Sequence, residues 1–74
     1  MKLSDAVRGR RVKILKITAE PALIARLSGL GVERGGYAVA VRDAPFRAGV
    51  LVMTAAGYAV LRENLARAIE VTYE

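Results

Sequence analysis

Ala25-Arg26-Leu27-Ser28-Gly29-Leu30-Gly31-Val32-Glu33-Arg34-Gly35 is the stretch on which the reading of this chain turns, because a helix ends in it and a strand begins after it. Leu23, Ile24, Leu27 and Leu30 fall at the i, i+1, i+4, i+7 spacing of one helical face. Gly31 follows where a helix stops on a residue tolerant of positive φ. Pro21 suits a first helical turn, where its missing N–H costs nothing, and Thr18 is the nearest residue able to cap. The spacing predicts a helix over about 21–30 with one apolar side. Gly35-Gly36 then release the chain into Tyr37, Val39 and Val41, where the apolar period changes from that of a helix to that of a strand.

Working outward, the segment from about Gly9 to Ile17 reads as a first strand with a break in phase. Val12 and Ile14 alternate with Arg11 and Lys13, whereas Leu15 and Ile17 carry the opposite phase around Lys16. A regular strand cannot keep both sets on one face. A bulge near Ile14 and Leu15 reconciles them and favours a curled barrel over a flat sheet. A second strand over about 36–42 ends at Asp43-Ala44-Pro45-Phe46-Arg47-Ala48-Gly49, which has the composition of a hairpin loop. Val50 to Thr54 reads as a third strand, continuous enough in apolar character to be buried on both sides or at a barrel seam. Ala55-Ala56-Gly57 turns the chain into a fourth strand at Tyr58 to Leu61. Arg62 to Ala68 reads as one helical turn, with Leu65 and Ala66 inward and Asn64 a candidate cap. Ile69 to Tyr73 closes the chain as a fifth strand, with Ile69, Val71 and Tyr73 on one face. The pattern is all-β with minor α: one small SH3-like barrel of about five strands over residues 1–74, with a short helix between strands 1 and 2 and a helical turn before the last strand.

Composition narrows the function classes. A 74-residue domain has a small core, and with no cysteine or histidine neither a disulfide nor a structural zinc site supports it. Packing of a 54% hydrophobic chain must hold it together. No apolar run reaches the roughly 18–20 residues needed to span a bilayer, and Met1-Lys2-Leu3-Ser4-Asp5 lacks the apolar centre of a signal peptide, so a cytoplasmic protein without membrane insertion is expected. Nine Arg and three Lys against seven Asp and Glu give a net charge of +5, which suits an anionic partner or a solvated surface. Arg8, Arg10, Arg11, Lys13 and Lys16 form a basic cluster.

The chemistry of catalysis is missing. Without His or Cys the commonest general base and the strongest nucleophile are absent, and the seven carboxylates are scattered through different elements. No enzyme activity and no cofactor are expected. Ferrous iron needs imidazole, thiolate or clustered carboxylate, so this chain is not expected to carry the metal. Gly29-Leu30-Gly31 lacks the Lys-Ser/Thr of a P-loop and the strand-to-helix context of a dinucleotide fingerprint. Phe46, Tyr37, Tyr58 and Tyr73 are spread along the chain without a stacking platform, and the three tyrosines read as partly buried strand residues.

Arg26-Leu27, two residues, Leu30-Gly31-Val32, then Gly35 before an alternating strand resembles the FeoA-domain family, small cytoplasmic proteins of bacterial ferrous iron uptake. Leu3 and Gly9 stand where that family opens, Pro45 lies in its central hairpin, and Leu61-Arg62 with Ala66, Ile69 and Val71 is similar to its closing pattern. The likeness covers nearly the whole chain and implies an SH3-like barrel in its stand-alone form, without the DNA-binding region of iron-dependent repressors. It also implies an accessory role: association with FeoB, the membrane ferrous iron transporter with a GTP-hydrolysing domain, which would place this chain at the inner membrane through its partner. The family carries a label of transition-metal ion binding, for which this chain offers neither imidazole nor thiolate. Candidate partner contacts are Leu23, Arg26, Leu27 and Leu30 on the helix, and Pro45, Phe46 and Arg47 at the hairpin tip. The tip departs from the family, with Arg47, Ala48 and Gly49 where smaller residues and a proline are usual. Two readings from other classes stand beside this one: non-specific nucleic-acid binding through the basic cluster, and self-association through an open strand edge.

Overall fold

The computed structural model describes Met1–Glu74. Its first strand, β1 (Arg11–Ile17), resolves the phase conflict as its sequence requires. Against the last strand, β5 (Ile69–Tyr73), Ile14 pairs with Val71 and Lys16 with Glu70, leaving Leu15 as the extra residue of a bulge. Val12 and Ile14 are therefore buried before the bulge, and Ile17 packs on the core after it. Leu15 is turned out to solvent.

The other strands are β2 (Tyr37–Asp43), β3 (Val50–Thr54) and β4 (Gly57–Leu61), and with β1 and β5 they make one antiparallel sheet in the order β4-β3-β2-β1-β5. The sheet curls so that both end strands share one interior: Val50 and Val52 of β3, Leu61 of β4, and Ile69 and Val71 of β5 lie in a single cluster with Leu3, Val12 and Ile14. This is the SH3-like barrel. Two short helices, α1 (Pro21–Gly29) and α2 (Glu63–Arg67), close it, with α2 packed on a 3-10 turn at Leu3–Asp5.

The structure corrects or extends the sequence reading at several points. In β2 the buried residues are Ala38 and Ala40, while Tyr37, Val39 and Val41 are only half-buried. Pairing decides this, because Ala38 sits opposite buried Val12, whereas Tyr37 and Val39 sit opposite Lys13 and Arg11 on the outer face. A second bulge, with Val41 as the extra residue between the Ala40–Val52 and Arg42–Leu51 pairs, bends β2 and had no signal in the alternation. Of the two readings of β3, burial on both sides does not hold, because the strand buries one face, Val50, Val52 and Thr54, and leaves Leu51 and Met53 half-buried. Neither helix uses a side-chain cap: Glu20 precedes α1 and Arg62 precedes α2, while the Asn64 side chain only accepts the N–H of Leu65.

The two edges of the sheet are treated differently. The outer side of β5 is covered by the N-terminus, where Val71 N–H donates to the Met1 carbonyl at 2.7 Å and Lys2 bridges to Glu70. Strand β4 pairs only with β3 and has no neighbour on its other side. Its outward residues Tyr58 and Val60 are 68% and 51% exposed, so Tyr58 is not the partly buried tyrosine its strand position suggests. No helix is long and apolar enough to cross a membrane.

Gly49 sits at the junction of the β2–β3 loop with β4. Its φ is 136°, and a Cβ there would collide with the Leu61 carbonyl. Gly35 also has positive φ but faces open space. Gly49→Ala is therefore expected to lower the unfolding free energy by at least about 2 kcal/mol in urea titrations, and Gly35→Ala by about 1 kcal/mol. Equal losses at the two positions would show that dihedral strain alone, and not the approach to Leu61, demands glycine at Gly49.

Candidate docking groove between the first helix and the open strand

Helix α1 begins on Pro21 and ends in a Schellman arrangement. Gly31 N–H donates to the Ser28 carbonyl and Val32 N–H to the Leu27 carbonyl, both at 2.9 Å, with Gly31 at φ 84°. Leu27 and Val32, the two ends of that loop, are both buried and supply the apolar contact that accompanies this ending. Ser28 Oγ donates to Glu33 at 2.8 Å and closes the turn from outside.

The helix end is fixed to the sheet by Thr54, the only buried polar residue. Its hydroxyl donates to the Leu30 carbonyl at 2.7 Å and accepts the N–H of Ala56 at 3.2 Å. Gly31 lies so close to that hydroxyl that a Cβ would overlap Oγ1. The carbonyl left free by the ending helix is thus satisfied from the β3–β4 hairpin, and the hairpin dictates where the helix stands.

Between α1 on one side and β4 with α2 on the other runs a groove of about 670 Å³. Leu23, Leu27, Leu30, Val60, Leu61 and Leu65 form its apolar walls. Arg26, Arg62 and Glu20 stand among them. Of the helix candidates, Leu27 belongs to the core, Leu23 is half-buried, and Leu30 and Arg26 are exposed. Arg26 forms no ion pair, so its charge is available at the groove.

The hairpin-tip candidates lie elsewhere. Pro45 opens a short 3-10 turn, Phe46 is entirely exposed, and neither they nor Arg47 line the groove. The root of that loop touches it, because Gly49 packs on Leu61 and Arg62. Sequence patterning did not reveal the contribution of Val60, since the exposure of β4 depends on which strand lies at the sheet's edge.

The basic cluster is partly neutralised. Arg8 donates to the Ser4 and Ala6 carbonyls and pairs with Asp43 at 2.8 Å, and Arg11 pairs with Glu74 at 2.7 Å. The Arg10 and Arg11 guanidinium groups lie over the Tyr73 and Tyr37 rings, 3.8 and 4.0 Å from the centroids. Lys13 and Lys16 remain exposed. No three His, Cys, Asp or Glu side chains come together as a metal-binding group.

Residues 1–73 match the FeoA domain. The chain belongs to the FeoA-domain family. Among solved structures, the FeoA protein from Chlorobium tepidum shares 34% identity, with 99% of this chain aligned to 70% of that one at a TM-score of 0.87. Iron(II) transport protein A from Clostridium thermocellum shares 29% identity over 99% of this chain and 45% of its own, with a TM-score of 0.86. A crystal structure of an iron uptake regulatory protein (FeoA) has a TM-score of 0.85, covers 100% of this chain and 97% of that one, and at 15% identity speaks for the fold alone. The chain has no match among curated protein sequences. Membership in the FeoA-domain family assigns it to ferrous iron transport in the general sense.

Thr54→Val keeps the shape and removes the hydroxyl, leaving the Leu30 carbonyl and Ala56 N–H without their partner. The expected cost is about 1–2 kcal/mol, with faster amide hydrogen exchange at the end of α1. Thr54→Ser should retain most of the stability, and a valine variant as stable as wild type would show that the hydroxyl does not hold the helix.

Proposed function

We propose that this FeoA-family chain is a cytoplasmic adaptor that docks on a FeoB-type ferrous iron transporter through the groove between α1 and β4. The observation that carries this reading is an apolar groove bordered by an unpaired strand edge and by Arg26, which has no ion-pair partner. An open edge offers backbone hydrogen bonds to an extended segment, and the flanking groove receives alternate side chains of that segment. Leu30, 47% exposed, and Val60 provide apolar contact on either side, while Arg26 and Arg62 favour carboxylates on the partner.

The adaptor acts by differential affinity. Binding one conformation of the transporter better than another shifts their populations, and no chemistry by the small protein is required. This fits a chain with neither His nor Cys. The nucleic-acid alternative draws less support, because Arg8 and Arg11 are committed to carboxylates and the two rings beside the cluster, Tyr73 and Tyr37, are covered by the guanidinium groups of Arg10 and Arg11.

The test is a titration of the chain against the soluble GTP-hydrolysing domain of the same organism's FeoB-type transporter, without lipid, at two salt concentrations. Saturable binding is expected, weakened about tenfold by Arg26→Glu or Val60→Asp and only mildly by salt. Wild-type affinity in both variants would place the contact outside the groove. Association of the chain with itself, blocked by Val60→Asp, with no signal from the GTPase domain, would assign the open edge to a second copy.

A further inference from the structure

Phe46 is 100% exposed, although it is the only phenylalanine in the chain. It is held there by a closed loop. Ala44 N–H donates to the Gly49 carbonyl at 2.8 Å, Ala48 N–H donates to the Pro45 carbonyl at 3.2 Å, and Gly49 is seated on the backbone of Leu61 and Arg62. Within that frame Phe46 and Arg47 both take positive φ, 60° and 57°. Non-glycine residues keep such a conformation only where the surrounding structure imposes it, and such sites cluster where proteins contact ligands. The consequence is an aromatic ring projected from the end of the sheet beside a guanidinium.

The surroundings of this tip are cationic. Arg42 is exposed on the strand that leads into it. Residues 7–10 run along the same strand end, with Gly9 N–H donating to the Ala40 carbonyl at 2.8 Å and Arg8 paired to Asp43. Val7 is a second exposed apolar side chain in that segment. Arg8, Arg42 and Arg47 face Asp43 at this end, and with Arg8 committed to that carboxylate, Arg42 and Arg47, which form no ion pair, leave an excess of two positive charges at the tip. None of the tip residues lines the groove between α1 and β4. A protruding ring among arginines matches a surface that is apolar beneath and anionic on top. We propose that the Pro45-Phe46-Arg47 tip and the arginines beside it dock on an anionic lipid headgroup layer, with Phe46 entering the acyl boundary and the guanidinium groups bonding lipid phosphates. One ring gives no platform for successive bases, which disfavours a single-stranded nucleic acid as the occupant. The proposal is independent of the transporter contact, which uses the groove.

The test uses the full chain and protein-free vesicles, so transporter docking cannot contribute. Sedimentation is compared with phosphatidylcholine vesicles and with vesicles containing about one-third phosphatidylglycerol, at low and high ionic strength. Binding is expected only to the anionic vesicles and is expected to fall with salt. Phe46→Ser should lower the partition coefficient at least about fivefold, and Arg47→Ser about fivefold. Both positions are exposed, so circular dichroism should show unchanged folding. Phe46→Trp places a tryptophan in a chain that has none, and its emission should shift to the blue on binding. Equal sedimentation of wild type and Phe46→Ser, absence of sedimentation with the anionic vesicles, or an unshifted emission from the Phe46→Trp variant would overturn the proposal. So would binding to random duplex DNA that is tighter than to vesicles and indifferent to Phe46→Ser.

Discussion

The Thr54 hydroxyl is the constraint on which the arrangement of this protein depends. It lies inside an otherwise apolar core, and such a group is tolerated only when its hydrogen bonds are made. Here they are made to the Leu30 carbonyl and the Ala56 N–H, so one side chain joins the helix ending to the β3–β4 hairpin. Gly31 permits the approach by having no Cβ to strike Oγ1. The groove exists because the helix is held at that distance from β4.

A small barrel must dispose of its two sheet edges, and this one disposes of a single edge internally. The N-terminal residues pair with β5, and their first carbonyl and ammonium both bond to Val71. Strand β4 is left with unpaired backbone and two exposed side chains, Tyr58 and Val60. Such an edge invites pairing by another chain unless it is blunted, and β4 carries no lysine or proline to blunt it. An open edge, an apolar groove and an unpaired arginine in one place form a surface suited to a protein partner. The Phe46 tip, by contrast, is convex and cationic.

Much of the fold was legible in the residues. The opposed phases of Val12-Ile14 and Leu15-Ile17 predicted the bulge that bends β1, because side chains alternate strictly along a strand and only an extra residue can reset them. Pro21 and Gly31 marked the helix within a residue or two, and Leu65, Ala66, Ile69 and Val71 fell inward as their spacing required. The candidate site was only partly legible. Leu23, Arg26, Leu27 and Leu30 do lie on the groove, but the opposite wall, Val60, Leu61 and Leu65, comes from residues far along the chain.

What the sequence alone determined is local: the strands, the stop at Gly31, the turn at Pro45 to Gly49, and the lack of any thiol or imidazole. These follow from dihedral preferences and side-chain chemistry, which each residue carries with it. Tertiary structure alone decided which face of β2 is buried, since Ala38 and Ala40 are inward only because they lie opposite Val12 and Val52. It likewise decided that β4 would be the uncovered edge, that Arg8 and Arg11 would be paired to Asp43 and Glu74, and that Phe46 would stand clear of every other side chain's cover. Burial, pairing and exposure are relations between distant residues, and a periodic pattern along one segment contains no term for the segment that comes to lie against it.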